Sequence, residues 1–252
     1  MGGAEGYDAA MYGDRMADIY DDLPVHPSDA DAAATYLAEL AGAAPALELA
    51  IGTGRVALPL AGLGVAVSGI DASEAMVAKL RAKPGGDRIP VTIGDFADVD
   101  VDDGRFALIF VVYNTFFVLL DQARQRRCFE QVAERLVPGG RFVIEAFVPD
   151  PSRFERGQHI EVRHVATDSA LLSVSRHDAA TQRVDSLHVR LGDDGVRTWP
   201  VHIRYAYPSE LDLMAERAGL RLEQRWGGWD REPFTGDSVK HVSVYATAPA
   251  RS

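Results

Sequence analysis

The sequence of 252 residues holds a single cysteine, Cys128, so no intrachain disulfide can form and nothing calls for an oxidising compartment. Cys128 falls in a charged helical stretch and reads as an ordinary half-buried residue rather than a nucleophile. The scarcity of cysteine removes zinc clusters, and the seven histidines show no close metal-ligand spacing, so no metal is expected. Positive charge is also in short supply: 26 Lys and Arg stand against 37 Asp and Glu, a formal net charge of -11. That charge repels phosphate backbones and anionic bilayers, so neither nucleic acid nor membrane is an expected partner. Apolar runs such as Phe106 to Val112 are far too short to cross a bilayer. The opening Met1–Gly6 lacks the basic start and apolar stretch of a signal peptide. Gly6 stands where a myristoylation signal needs Ser or Thr, and a cytoplasmic protein is expected. What is present is enough for a full core, 47% hydrophobic residues, in one large domain or one domain carrying an insertion.

No repeat or low-complexity tract interrupts the chain, and alternating periodicities organise it. A helix is expected over 28–41, capped by Ser28 with Asp31 three residues on. Short apolar runs at 46–51, 65–70, 90–93, 106–112 and 141–147 read as strands. Helical patterns lie at 56–63, from Ser73, and at 121–137, the last stopped by Pro138-Gly139-Gly140. This alternation implies a doubly wound α/β domain with helices on both faces of a parallel sheet. The pattern then changes to consecutive strands at 160–166, 170–176, 186–191 and 201–207, with a turn at Asp193-Asp194-Gly195, which implies an antiparallel patch. A helix at 209–218 with a Ser209/Asp212 capping box and strands at 220–226 and 239–246 complete the chain.

The first strand runs into Glu48-Leu-Ala-Ile-Gly52-Thr-Gly54-Arg55. Glycines there permit a sharp turn and close approach of a ligand to the backbone. The turn alone fits two cofactor classes, because Gly52-Thr-Gly54-Arg-Val-Ala57 also satisfies a dinucleotide fingerprint. Three carboxylates add to it. Glu48 interrupts a buried strand, Asp71 ends the second strand where ribose hydroxyls would lie, and Asp95, in Gly94-Asp95-Phe96, follows the third. Each alone has a structural explanation: Glu48 pairing with a lysine, Asp71 capping the Ser73 helix, Asp95 capping a turn. Their coincidence at successive strand ends favours a nucleoside site.

On these motifs, with Leu136-Val-Pro-Gly-Gly-Arg-Phe-Val, residues 46–148 and 207–247 resemble the class I S-adenosylmethionine-dependent methyltransferases. Ile51 departs from the Cys or Gly common there, and its side chain is expected to point away from the ligand. The resemblance implies a Rossmann-like seven-stranded sheet with its last strand antiparallel, plus an inserted antiparallel β-rich lid. It implies a helical lid over 1–45, a core of 46–154 and 207–252, and an inserted subdomain over 155–206. It also implies that Gly52 and Gly54 face the methionine part of the cofactor, with Glu48 and Ala50 in the same turn. Asp71 would hold the ribose; Ala72 and Met76 would lie near adenine, and Asp95 and Phe96 would bind it. Tyr113 and Asn114 would sit under the sulfonium, with Tyr12 and Tyr20 as an aromatic lid.

Methyl transfer is an in-line displacement, so the protein mainly positions a nucleophile behind the methyl carbon. An amine need only arrive neutral, whereas a hydroxyl or carbon acceptor needs a base. Base candidates are Glu145, Tyr205, His159, His164, His177, His188, His202 and His241, with Glu145 and Tyr113 the leading catalytic pair. Phe116, Phe117, Phe147, Trp226 and Trp229 are candidates for an apolar acceptor pocket, and equally for core. The layout is similar to bacterial methyltransferases acting on amino sugars and other natural products. A methyltransferase acting on N or O of a small molecule, as in antibiotic biosynthesis, is therefore the leading reading. An NAD-dependent oxidoreductase and a non-catalytic cofactor-binding protein are the alternatives. A homodimer stays open.

Overall fold

The computed structural model describes residues 9–23, 29–101, 104–193 and 195–247. Seven strands form the main sheet: β1 (Ala46–Leu49), β2 (Val67–Asp71), β3 (Val91–Ile93), β4 (Phe106–Val111), β5 (Leu136–Phe147), β10 (Leu220–Trp226) and β11 (Lys240–Thr247). Their order is β10-β11-β5-β4-β1-β2-β3, and β11 runs antiparallel to both its neighbours while the central pairs are parallel. A second sheet, β6 (Gln158–Val165), β7 (Ser169–Asp178), β8 (Arg183–Gly192) and β9 (Gly195–Arg204), is an antiparallel meander. The expected fold class is therefore the observed one.

The central strands are buried at nearly every position because both faces of the sheet are covered, and successive residues face opposite sides. Leu47, Leu49, Ile109 and Val111 pack on the side of α5 (Gln122–Arg135) and α6 (Pro208–Arg217). Ala46, Leu108, Phe110 and Val112 pack on the side of α2 (Ala30–Ala41) and α3 (Ala57–Gly62). Full burial of each such Leu, Ile or Val side chain contributes about 1.5–3 kcal/mol. The two sheets join through the first of these cores, which takes in Val184 and Tyr205. Arg204 cements the join, donating to Gln125 of α5 and pairing with Glu210 of α6 at 2.7 Å. At the N-terminus, α1 (Ala9–Met16) and Leu23 pack through Met16 and Ala17 against Met76 of α4 (Glu74–Arg81) and against Leu171 and Trp199 of the second sheet.

Several boundaries differ from expectation. Strand β1 stops at Leu49 because Ala50 turns left-handed, with φ 56°. Pro138-Gly139-Gly140 does not stop the helix: α5 ends at Arg135, and extended backbone begins at Leu136. The ladder to β4 jumps from Phe106↔Leu136 to Leu108↔Arg141, so Pro-Gly-Gly is an irregularity inside β5, with Gly139 at φ 79°. The Ser209/Asp212 capping box does not form. Pro208 opens α6 after Tyr207, and Asp212 instead binds the Arg225 guanidinium and the Tyr245 hydroxyl. Ser28 lies outside the described residues; Asp29 precedes α2 without a side-chain cap, its carboxylate taken by Lys240 at 2.7 Å. Asp194, in the expected turn, also lies outside them; β8 and β9 close through Gly192↔Gly195.

Candidate active site

The carboxyl ends of β1, β2 and β3, the exit of β4 and the N-terminal segment enclose one pocket. Open α/β sheets bind ligands at that edge. Nine of the thirteen residues expected around a cofactor line it: Tyr12, Tyr20, Ala50, Gly52, Asp71, Ala72, Met76, Asp95 and Phe96. Gly54, Glu48, Tyr113 and Asn114 do not. Gly54 packs instead: a Cβ there would meet Leu80 at 2.4 Å, at φ 80°. Gly52, at φ 55°, has open space where a Cβ would stand, which leaves a cradle for a ligand. Ile51 is buried against β2, its Cβ 2.7 Å from where a Gly69 side chain would begin, and points away from the pocket.

Asp71 ties this edge together. One carboxylate oxygen accepts the Gly52 amide at 2.7 Å and the other accepts the Ser73 amide at 2.8 Å. Burial raises its pKa, and these amides oppose the rise. Helix α4 is capped by Ser73, whose hydroxyl accepts the Met76 amide and donates to Asp14 of α1 at 2.6 Å. Asp95 is less available than expected: one oxygen accepts the Ala97 amide, and the other is paired with Arg124. Tyr12 and Tyr20 meet edge to face, 6.4 Å between centroids, at the pocket's outer wall. Three aspartates hold that segment down: Asp14 on Ser73, Asp18 on Arg197 of β9, and Asp21 on Thr53 and Lys83.

Glu48 is 3% exposed, on the side of the sheet that α3 covers. It accepts the Ala57 amide, while its Oε2 has no partner. No lysine neutralises it. Burial pushes its carboxyl well above the ordinary value, with Asp71 adding to the rise and Arg55 opposing it. A buried acceptor left unpaired beside an open glycine cradle suits a cationic amino group, such as that of a methionine moiety.

Tyr113 and Asn114 form a second constellation at the end of β4. Both are left-handed, φ 56° and 65°, although neither is glycine. Glu145 pins the turn, one oxygen accepting the Tyr113 amide at 2.8 Å. The Asn114 side-chain oxygen accepts the Phe147 amide at 2.6 Å. The other Glu145 oxygen and Asp29 share Lys240. Burial raises the Glu145 pKa, and the Tyr113 amide and Lys240 oppose the rise. The Arg55 guanidinium lies 4.3 Å from the Tyr113 ring centre, and the buried Tyr113 hydroxyl has no partner.

The other expectations fare unevenly. Phe116 and Phe117 have no exposed surface and interlock with Phe129 and Phe147, so they are core rather than pocket lining. Trp226 is fastened by its indole N–H to Tyr36 and Gln224, and Trp229 is buried against Tyr36. Among the described residues, no histidine lines the cofactor-edge pocket. His177 bonds Tyr205 and stacks on Phe154, and His202 bonds Asp185. Burial lowers the pKa of His188 to about 4 and of His241 to about 3, keeping both neutral. Gly13, Ser73, Thr115, Val118 to Leu120 and Arg124 line the pocket without having been anticipated. Arg124 carried a faint signal, one turn into the helix that follows the β4 exit.

Comparison with known proteins resolves the ambiguity of the glycine turn. The family described as "Methyltransferase domain" matches residues 46–140. The structure of the CcbJ methyltransferase from Streptomyces caelestis is 42% identical, covers 96% of this chain and 100% of its own, and superimposes with a TM-score of 0.92. Cypemycin N-terminal methyltransferase from a Streptomyces species is 28% identical over 79% of this chain and 81% of its own length. The fold is shared with S-adenosylmethionine-bound CalS10, an amino pentose methyltransferase from Micromonospora echinaspora, at 21% identity, 91% and 97% coverage and a TM-score of 0.67. The chain belongs to the S-adenosylmethionine-dependent methyltransferases. Its cofactor is S-adenosylmethionine, and the oxidoreductase reading is set aside.

Proposed function

We propose that the protein methylates a nitrogen or oxygen atom of a small molecule in natural-product biosynthesis, with an amine as the favoured acceptor. One observation carries the choice of amine: Glu145 and Asp29, two carboxylates sharing one lysine, gather near the unpaired Tyr113 hydroxyl, and among the described residues no pocket-lining histidine offers a base for a hydroxyl acceptor. The likeness to an N-terminal methyltransferase points the same way.

S-adenosylmethionine, when bound, supplies an electrophilic methyl group on a sulfonium. The chain's residues would hold it and shape the approach. Asp71 would accept from the ribose hydroxyls with the lone pairs its two backbone partners leave. Glu48 Oε2 would take the amino group, Gly52 would let the backbone lie close, and Phe96 and Met76 would flank adenine. The N-terminal part carrying Tyr12 and Tyr20 would act as a lid that excludes water, backed by the 155–206 sheet. Glu145 serves as a positioning residue: it fixes the left-handed Tyr113–Asn114 turn, so the Tyr113 hydroxyl can orient the acceptor.

The test incubates the protein and methyl-labelled S-adenosylmethionine with panels of amino sugars, cyclic amines, short peptides, phenols and alcohols. Transfer to an amine supports the reading. Transfer confined to hydroxyls or carbon would overturn the choice of acceptor, and binding without transfer to any panel would support a non-catalytic role.

A further inference from the structure

Arg55 closes the glycine turn, and its side chain reaches groups that belong to three different parts of the site. Its guanidinium lies over the Tyr113 ring at the exit of β4, 4.3 Å from the ring centre. It donates to the Tyr20 hydroxyl, in the short 3-10 helix Tyr20–Asp22 of the N-terminal segment. It also acts on the buried Glu48 carboxylate of β1, opposing the rise in its pKa. The same turn meets that segment a second time. Thr53 donates its hydroxyl to Asp21 at 2.6 Å, while Lys83 donates to the Thr53 carbonyl and pairs with Asp21, both at 2.8 Å. Thr53 is thus tied to Asp21 and Arg55 to Tyr20.

The other side of Arg55 is fixed. Tyr113 is left-handed, and Glu145 holds its amide at 2.8 Å, so the ring is a wall on which the guanidinium rests. A guanidinium can rest on a ring and donate at the same time, because its π-face and its in-plane N–H groups are separate recognition surfaces. An ammonium is one compact charge on a flexible stem and lacks that division. A counter-charge for Glu48 needs no such shape, and a lysine would serve there as well.

We propose that Arg55 is a positioning residue that fastens the N-terminal lid to the acceptor-side turn, with Tyr20 at the edge of its guanidinium and Tyr113 against its face. The proposal rests on Tyr113 as the group that orients the acceptor and on the Tyr12–Tyr20 segment as the lid. Closing the lid and setting the Tyr113 ring are then one event. The acceptor meets its site in a single arrangement, with water excluded.

Limited trypsin proteolysis of the full chain tests this without an acceptor, in S-adenosylmethionine whose saturation is verified for each variant by titration calorimetry. Arg15 of α1 is exposed, and cleavage after it requires the segment to lift from the core. Arg55→Lys, Arg55→Gln and Tyr20→Phe should each speed that cleavage about 10-fold or more, the loss of one hydrogen bond to a charged group. Arg55→Lys combined with Tyr20→Phe should cleave no faster than either alone, because both remove one link. Tyr113→Leu lies outside the segment, yet it should loosen the lid while Arg55 is present and add nothing to Arg55→Gln. Circular dichroism and unchanged cleavage within 46–247 verify that the core stays folded. With an amine that accepts the labelled methyl, Arg55→Lys should raise the acceptor KM about tenfold. Lack of transfer to any amine would overturn the choice of acceptor and leave the proteolysis result standing. Wild-type cleavage of Arg55→Lys marks a counter-charge alone and overturns the proposal. So do additive effects of Arg55→Lys and Tyr20→Phe, or a Tyr113→Leu protein as protected as wild type. If the Arg55 variants do not fold, Tyr20→Phe and Tyr113→Leu replace them, and additivity between those two overturns it.

Discussion

Replacing Glu48 by Gln should move stability and cofactor affinity in opposite directions. In the protein without cofactor, Glu48 is nearly fully buried and its Oε2 is unpaired. A buried polar group without a partner costs about 1–3 kcal/mol, and the amide removes the charge while keeping the shape. For a chain of this size, relief of about 1–2 kcal/mol raises the melting temperature by roughly 2–8 °C. The pH dependence has a definite sign. Burial raises the folded pKa of Glu48, so its contribution to stability is complete below the ordinary value of 4.5 and is lost as pH rises through the folded value. The Gln variant has no such loss, so its advantage in melting temperature widens with pH across that window. Binding shifts the other way. A carboxylate–ammonium hydrogen bond contributes about 1.5–3 kcal/mol, so the Gln variant should bind S-adenosylmethionine about 10- to 150-fold more weakly. Thermal melting from pH 4 to 8 and titration calorimetry read both effects. A variant that melts lower than wild type and binds with unchanged affinity would refute the reasoning.

Arg197→Ala unties Asp18 from β9 and should release cofactor a few-fold faster in stopped-flow, an effect that shrinks in 0.5 M salt. Arg197 lowers the Asp18 pKa, so this latch holds above the ordinary carboxylate range and is lost as pH falls through the lowered value. Phe117→Ala removes a core ring and should cost about 3–5 kcal/mol on denaturant unfolding, whereas Phe117→Leu costs under about 1.5 kcal/mol. Tyr113→Phe and Glu145→Gln should leave S-adenosylmethionine affinity within about twofold while lowering kcat about tenfold or more, by calorimetry and steady-state kinetics.

The sheet was legible because periodicity reports burial directly. The continuous apolar run from Phe106 to Val112 marks a strand buried on both faces, and the consecutive strands after 158 mark an antiparallel patch. The pocket floor was legible because glycines and carboxylates at strand ends have few other reasons to be there. What escaped was tertiary competition for polar groups. Asp95 looked free for adenine until Arg124, 29 residues on, claimed an oxygen. Asp212 looked like a cap until Arg225 and Tyr245 took it. Phe116 and Phe117 could be read as lining or as core because they follow a strand end, and the turn after Asn114 folds both rings inward. In each case the deciding partner lies on another element, where local spacing carries no information.

The central claim is that the turn after β1 and the carboxylate ending β2 form one S-adenosylmethionine site. Titration calorimetry of wild type and Asp71→Ala, each with S-adenosylmethionine and with NAD, tests it most directly. The account predicts one S-adenosylmethionine per wild-type chain, no heat with NAD, and affinity reduced at least about 100-fold in the variant, which loses the ribose acceptor and the clamp on the Gly52 and Ser73 amides. Unchanged affinity in a folded Asp71→Ala protein would contradict it.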